Sequence, residues 1–234
     1  MMKIGSKKWQ DILYEGAEKL GVPLEQGKIE KFSIHAVELI KWNQKINLTA
    51  ITDPMEVAVK HFLDAIAPVP DIPPNGSLLD IGSGGGFPGI PLKVCLPSVS
   101  VTMIDASRKK VNFIKHVIRT LELENTYAFH IRAEDFAEKQ AVARYFDIII
   151  SRAFSSMATF AVTALPFLNQ NGVIIAMKGI MSEHDIRTLG SSVNKGLDGH
   201  AEDSDRFELH VKRYTLPYLK SNRSMVFLRR AQGT

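Results

Sequence analysis

The spacing of apolar residues predicts three helices in the first third of the chain. Apolar side chains recur every three or four residues over 9–20 and again over 28–42, which is the pattern of an amphipathic helix. A third helix is predicted from Asp53 to Ala65, because Asp is a favourable N-cap and the following Pro54 suits the first helical position.

A proline-rich stretch separates these helices from the rest of the chain. Residues 67–76 contain four prolines and end in Asn-Gly, a composition that predicts a linker. We therefore expect a helical N-terminal extension over residues 1–70 and a main domain over residues 71–234.

Beyond the linker, short apolar stretches of strand length alternate with amphipathic helical stretches. Strands are predicted over 77–81, 99–104, 127–131, 147–151, 172–177, 206–214 and 224–230. Helices are predicted near 88–96, 108–121, 154–168 and 183–190, followed by a polar loop over 190–205. This alternation is typical of a parallel sheet with helices on both faces, and the last two strands predict a hairpin. The sequence thus predicts an α/β fold: an open, mostly parallel, doubly wound sheet of about seven strands with an antiparallel C-terminal hairpin.

A glycine-rich loop, Asp80–Gly89, follows the first predicted strand. Glycine permits positive φ and the close approach of a ligand, and open α/β sheets bind ligands at the carboxyl ends of their strands. The loop typical of nucleoside-triphosphate binding is absent from the sequence. A dinucleotide pattern can be read from Gly84, but Pro88 would stand where the pyrophosphate-binding helix begins. The spacing Asp-x-Gly-x-Gly-x-Gly is instead that of the first motif of S-adenosylmethionine-dependent methyltransferases. It is formed by Asp80, Gly82, Gly84 and Gly86.

Polar residues at the ends of the next two strands suit the same ligand. Asp105 follows the second strand, where a carboxylate could accept hydrogen bonds from ribose hydroxyls; alternatively it caps the next helix, a role open also to Ser107. Ala133, Glu134 and Asp135 follow the third strand, where they could recognise an adenine edge or simply begin a solvated helix.

Composition and charge narrow the class of protein. The chain has 234 residues, of which 45% are hydrophobic, and lacks an apolar run as long as the ~20 residues of a membrane helix. The N-terminus lacks the apolar core of a signal peptide, and the single cysteine, Cys95, allows no internal disulfide; we expect a cytoplasmic protein without membrane contact. The seven histidines show no metal-ligand spacing, so no metal is expected. Seven basic residues and one acidic residue from Arg206 onward indicate either a protected edge strand or a surface for a polyanion.

The motifs together resemble those of the bacterial small-subunit (16S) ribosomal RNA guanine-N7 methyltransferase family (RsmG, formerly GidB). The matching stretches are Trp42–Ile51, His61–Asp64, Asp80–Pro91, Ile104–Ile114, Arg132–Glu134, Ser151–Phe154 and Lys178-Gly179. They span about residues 40–180, and the combination of the glycine loop with Ser-Arg-Ala-Phe is much more specific than the loop alone.

The resemblance implies the class I methyltransferase fold and methylation of N7 of a guanosine in a hairpin loop of small-subunit ribosomal RNA, with S-adenosylmethionine as cofactor. A monomer is expected. With the glycine motif, the resemblance gives these candidate cofactor-binding residues: Asp80, Gly82, Gly84, Gly86, Phe87, Asp105, Ala106, Ser107, Ala133, Glu134 and Arg152.

The implied reaction needs little acid–base chemistry. Guanine N7 carries a free lone pair and no proton, so an in-line displacement depends on positioning. No catalytic residue is therefore certain; Arg152 and Lys178, at predicted strand ends, are the candidates. The candidates for RNA contact are Arg108, Lys109, Lys178 and Arg223, although for Lys109 a solvated helix face is the simpler interpretation.

Several alternatives stay open at this point. Phe87 or Phe154 could stack on a flipped-out guanine, with core packing favoured for Phe154. His61 and Asp64 lie one helical turn apart and suit packing or capping better than catalysis. Other possible functions are methylation of another RNA or a small molecule, a non-catalytic role in ribosome assembly, and a dehydrogenase.

Overall fold

The computed structural model describes residues 2–139, 146–152, 154, 156–186, 188–189 and 207–231. The polar loop over 190–205, Ala153 of the Ser-Arg-Ala-Phe motif and Arg206 lie outside the described residues.

The three N-terminal helices form as the apolar spacing predicts. Helix α1 spans Lys7–Lys19 and α2 spans Gln26–Ile46. Helix α3 consists of three adjoining pieces, Pro54–Glu56, the π-helical Val57–Leu63 and Asp64–Ile66. Its cap is the predicted one, since Asp53 Oδ1 accepts a hydrogen bond from the Glu56 N–H at 3.0 Å.

The remaining elements build one seven-stranded sheet. The strands are β1 Gly76–Ile81, β2 Val99–Asp105, β3 Thr126–His130, β4 Phe146–Ser151, β5 Leu168–Lys178, β6 Phe207–Leu216 and β7 Ser221–Arg230. The helices are α4 Gly89–Cys95, α5 Arg108–Thr120, α6 Ala133–Lys139 and α7 Met157–Ala164, with short 3-10 turns at Val69–Asp71 and Leu165–Phe167. The strand order is β3-β2-β1-β4-β5-β7-β6. Neighbours from β3 to β5 are parallel, and β7 is antiparallel to both β5 and β6, which confirms the predicted sheet and hairpin.

Both faces of the sheet are buried, because successive residues of its central strands point into different hydrophobic clusters. Ile148 and Ile150 join the cluster that includes α1 to α5, whereas Ile149 joins the cluster with α6 and α7. The N-terminal helices thus share one apolar core with the sheet.

Several element boundaries differ from the sequence prediction, most clearly around β5 and in the hairpin. The helix predicted over 154–168 is limited to α7, because Pro166 and its neighbours form a 3-10 turn and β5 already begins at Leu168. The hairpin strands are longer than predicted and extend to Leu216 and back to Ser221, since cross-strand pairing continues residue by residue to the pair of Leu216 and Ser221.

Candidate active site

The glycine loop connects β1 to α4 and adopts a conformation that requires glycine. Gly82, Gly84 and Gly86 have φ values of 76°, 55° and 85°, in the left-handed region that L side chains rarely adopt. The loop is fastened to β2, since the Gly82 N–H donates to Ile104 O at 2.8 Å. The Gly84 N–H donates to Asp105 Oδ2 at 2.9 Å. The loop therefore has one defined path beside the end of β2.

A cleft of about 270 Å³ opens at the carboxyl ends of β1, β2 and β3. Its lining includes five of the candidate cofactor-binding residues: Gly82, Asp105, Ala106, Ala133 and Glu134. The sequence analysis did not assign the other lining residues to the cofactor site: Ile81, Ile104, Ile131, Arg132 and Phe154. Ile81, Ile104, Ile131 and Arg132 lie at or within two residues of a strand end, a position that could have identified them.

Asp105 is the best-placed polar group of the cleft. Its carboxylate is nearly buried and accepts hydrogen bonds from Gly84 N–H through Oδ2 and from Ser107 N–H at 2.8 Å through Oδ1. The same carboxylate thus fixes the glycine loop and the turn into α5, while Ser107 occupies the N-cap without a side-chain cap bond. Each carboxylate oxygen can accept a second hydrogen bond, so ribose hydroxyls in the cleft remain suitable donors.

Asp80 lies beneath the loop and outside the lining of the cleft. It is fully buried, and Oδ2 accepts a hydrogen bond from the Gly89 N–H at 2.9 Å, whereas Oδ1 has no hydrogen-bond partner in the described part of the chain. Burial raises the pKa of Asp80 to about 7, against the opposing effect of the Gly89 bond. Asp80 therefore stabilises the start of α4, since Gly89 is the first residue of that helix.

The Phe87 ring is packed into the core. It stacks on the rings of His35 and His61, each at a centroid distance of 4.7 Å, and meets Phe62 edge-on at 5.2 Å. Because only 4% of Phe87 is exposed, its ring cannot stack on a guanine in this structure. Phe154 lines the cleft and packs on Phe160 at 4.9 Å.

A carboxylate from α3 collects polar groups from three parts of the chain. Asp64 accepts a hydrogen bond from the Tyr214 hydroxyl at 2.8 Å and one from Arg152 at 3.4 Å. The Arg223 Nε lies 3.8 Å from the same carboxylate. Desolvation and the neighbouring Asp64 charge raise the pKa of Tyr214. We call these four residues the Asp64 cluster.

Arg152 belongs to this cluster and not to the lining of the cleft. Its guanidinium donates to Lys60 O at 3.2 Å and lies 5.3 Å from the centre of the Phe87 ring. His61 does not pair with Asp64; its Nε2 lies 2.9 Å from Thr49 Oγ1. His61 and Asp64 thus have different partners, and their expected role in capping or packing stays a prediction.

The other cationic candidates lie around the strand ends. Arg108 and Lys109 are exposed in the first turn of α5, directly after the Asp105 turn. Lys178 ends β5, donates to Phe154 O, and has its pKa lowered by burial. Lys178 also lines a second groove of about 420 Å³ beside α7. The structure thus brings Arg152 and Arg223 together in the Asp64 cluster, while Lys178 contacts Phe154, one of the residues that line the cleft.

The described residues contain no group of three metal-ligating side chains in a metal-binding arrangement. Among the helices described, none is both long enough and apolar enough to cross a bilayer.

Comparison with solved structures gives the same fold. A putative O-methyltransferase from Klebsiella pneumoniae aligns over 97% of this chain and 99% of its own length, with a TM-score of 0.58 and 12% identity. TYW2 from P. horikoshii, solved in complex with MeSAdo, aligns over 71% of this chain and 61% of its own, with a TM-score of 0.52 and 14% identity. At such low identity these similarities show the fold alone.

Comparison with known sequences gives the family. The Ribosomal RNA small subunit methyltransferase G of Oceanobacillus iheyensis is 38% identical over 216 residues, which cover 92% of this chain and 87% of that protein. The protein of the same name from a Geobacter species is 39% identical over 221 residues, or 94% of this chain and 97% of its own length. The family model of rRNA small subunit methyltransferase G (GidB) matches residues 28–197. The chain therefore belongs to the rRNA small subunit methyltransferase G family.

Proposed function

We propose that this protein transfers a methyl group from S-adenosylmethionine to N7 of a guanosine in small-subunit ribosomal RNA. The observation that carries the proposal is membership of the family together with the cleft formed by the glycine loop and Asp105. The choice of N7 rests on the sequence motifs that resemble the guanine-N7 methyltransferases.

The cleft suits a nucleoside without a pyrophosphate. Ile81, Ile104 and Ile131 provide apolar walls for a flat base, and the Glu134 carboxylate can accept a hydrogen bond from an exocyclic amine. Asp105 can accept bonds from ribose hydroxyls, and Pro88 at the N-cap of α4 has no N–H to donate to a pyrophosphate. These features favour an adenosyl cofactor over a dinucleotide.

When bound, S-adenosylmethionine supplies a methyl group activated by its sulfonium. The residues of this chain then orient the two reactants, because guanine N7 has no proton that a general base would need to remove. We propose that Arg108, Lys109, Lys178 and Arg223 contact RNA phosphates and that Arg152 serves the cofactor or the target base. The monomeric state, the cytoplasmic location and the domain boundary near residue 70 remain predictions.

The direct test is methylation of small subunits that lack this modification. Purified protein, radiolabelled S-adenosylmethionine and such subunits should yield 7-methylguanosine, identified by mass spectrometry of the digested RNA. Asp105→Asn removes the charge but keeps a hydrogen-bond acceptor. It should weaken cofactor binding about tenfold or more, because bonds to a charged group are stronger than those to a neutral one.

Parallel reactions distinguish the alternatives. Free ribosomal RNA, transfer RNA and a pool of metabolites test for another substrate. Cofactor binding without turnover on any of them would favour a non-catalytic role in assembly, and binding of NAD in place of S-adenosylmethionine would favour a dehydrogenase. Either result would refute the proposal.

A further inference from the structure

Helix α2 of the N-terminal extension lies directly against the glycine loop. A Cβ atom added to Gly85 would lie only 3.0 Å from Leu39 Cδ1, and one added to Gly86 would lie 3.6 Å from His35 Cε1. Two glycines of the loop therefore face the same helix, about fifty residues earlier in the chain.

His35 makes the polar contact between this helix and the loop. Its ring is fully buried, and Nε2 lies 2.9 Å from the Gly85 carbonyl oxygen. A carbonyl oxygen can only accept a hydrogen bond, so Nε2 must carry the proton. Burial lowers the pKa of His35 to about 4, so at neutral pH the ring is neutral and Nδ1 is an acceptor.

That second nitrogen has no hydrogen-bond partner among the described residues. His35 Nδ1 is buried without a hydrogen bond among aromatic rings, those of Phe62, Phe87 and Phe113. An unpaired buried acceptor is unfavourable, and an apolar side chain of similar volume would avoid it. Core packing alone therefore does not explain an imidazole here, whereas the bond from Nε2 to Gly85 does.

The bond ties the loop to α2, in addition to its bonds to β2. The peptide groups of Gly82 and Gly84 are held by Ile104 and Asp105, and the Gly85 carbonyl is held by His35. The Gly85–Gly86 peptide group is held at both ends, since the Gly86 N–H donates to Ser83 O at 2.8 Å and the Gly85 carbonyl accepts from His35. Stacking of the His35 ring on Phe87 fixes the residue where the loop turns toward α4.

We propose that His35 is a positioning residue of the cofactor site, which acts by donating a hydrogen bond from Nε2 to the Gly85 carbonyl. The inference rests on the proposed function only in that the cleft binds an adenosyl cofactor. Helix α2 is then a functional part of the site and not only a support for the sheet.

The test compares side chains that keep or remove the donor in the full-length protein. Gln places an amide N–H near the position of Nε2, Phe keeps an aromatic ring without a donor, and Leu has neither. Binding of S-adenosylhomocysteine is measured by calorimetry, and stability by urea unfolding without ligand. His35→Phe and His35→Leu should bind about three- to tenfold more weakly, the effect of one neutral hydrogen bond. His35→Gln should stay within about threefold of wild type.

A matched control separates this role from general destabilisation. Ile29→Ala removes buried apolar volume six residues earlier in α2 and leaves the donor in place. It should lower stability while binding stays close to wild type. The proposal would be overturned if folded His35→Phe or His35→Leu bound the cofactor product as tightly as wild type. It would also be overturned if every variant bound more weakly in proportion to its lost stability.

The wild-type protein gives an independent result if both donor-free variants fail to fold. Nitrogen-15 spectra of the imidazole should show the Nε2–H tautomer, and the His35 signals should shift when S-adenosylhomocysteine is added. The other tautomer, or unchanged signals at saturation, would also overturn the proposal. Failure of the wild type to bind the cofactor contradicts the proposed function itself, whereas binding without RNA methylation leaves the role of His35 intact.

Discussion

The two buried histidines beside Phe87 make the stability of the fold sensitive to acid, and His61 allows the effect to be measured alone. His61 is 8% exposed, stacks on Phe87 and shares a hydrogen bond with Thr49. Burial, with a further contribution from the Arg152 charge, lowers the pKa of His61 to about 3. His61→Gln removes the titrating ring and retains a side chain that can bond to Thr49.

The size of the effect follows from the difference in bound protons between the two states. A histidine in the unfolded chain has a pKa of about 6.5, so between that pH and about 3 the unfolded state binds one proton more than the folded state. Stability therefore falls as the pH drops below 6.5. Because pH 5 lies about 1.5 units below the pKa of the unfolded histidine, protonation stabilises the unfolded chain there by about 2 kcal/mol.

Urea unfolding at pH 7 and pH 5 provides the assay, with the fluorescence of Trp9 and Trp42 as the signal. Wild type should lose about 2 kcal/mol more than His61→Gln over this interval. His35 titrates in the same direction and Asp80, with its raised pKa, in the opposite one, but both are present in the two proteins and cancel in the difference.

Thr49→Val is the matched control. It removes the hydrogen-bond partner of His61 and leaves the ring, so it should lower the unfolding free energy at both pH values. Between pH 7 and pH 5 it should lose as much unfolding free energy as the wild type does. If wild type and His61→Gln lose the same free energy between pH 7 and 5, His61 is not a buried neutral histidine and the reasoning is wrong.

Three further predictions concern the glycine loop, the Asp64 cluster and RNA. Gly86→Ala should destabilise the fold by about 1–3 kcal/mol in urea unfolding, because its φ is positive and the new Cβ would lie 2.5 Å from Ile90 Cδ1. Gly27→Ala, at a helical position with open space, should instead stabilise by about 0.5–1 kcal/mol. Tyr214→Phe should lower the unfolding free energy by about 1–3 kcal/mol, since the buried Asp64 loses its 2.8 Å hydrogen bond; an unchanged value would contradict that role. Affinity for small-subunit RNA, measured by filter binding, should fall steeply between about 50 and 200 mM salt, and a flat response would exclude phosphate contacts.

The apolar pattern predicted the sheet because burial on both faces leaves a direct trace in the sequence. Phe146–Ser151 is almost continuously apolar, as a central parallel strand must be when helices cover both its faces. Helix α6 leaves a weaker trace, since seven residues provide too few turns for a helical period, and only its acidic start was considered. The end of α7 was misplaced because the apolar residues around Pro166 fit a helix, a turn or a strand equally well.

The ligand-facing residues were predictable where one strand end supplies them, but the supporting contacts were not. Asp105 and Glu134 were identified from their places after strands, and both line the cleft. The bond between Asp64 and Tyr214 joins residues 150 positions apart, and that between His35 and Gly85 joins residues 50 apart. No local pattern encodes such pairs, because they depend on which elements the fold brings together.

The order of the strands explains why these distant residues meet. Strands β1 and β4 are neighbours in the sheet although two other strands lie between them in the chain, so the chain reverses its direction of winding between them. Ligands in open α/β sheets bind in the crevice at such a point. The glycine loop leaves β1 on one side of it, and Arg152 leaves β4 on the other. Helices α2 and α3 contact the glycine loop and Arg152 at this point, although neither helix lines the cleft itself. The N-terminal extension therefore borders the glycine loop and Arg152, a placement that its amphipathic pattern alone did not show.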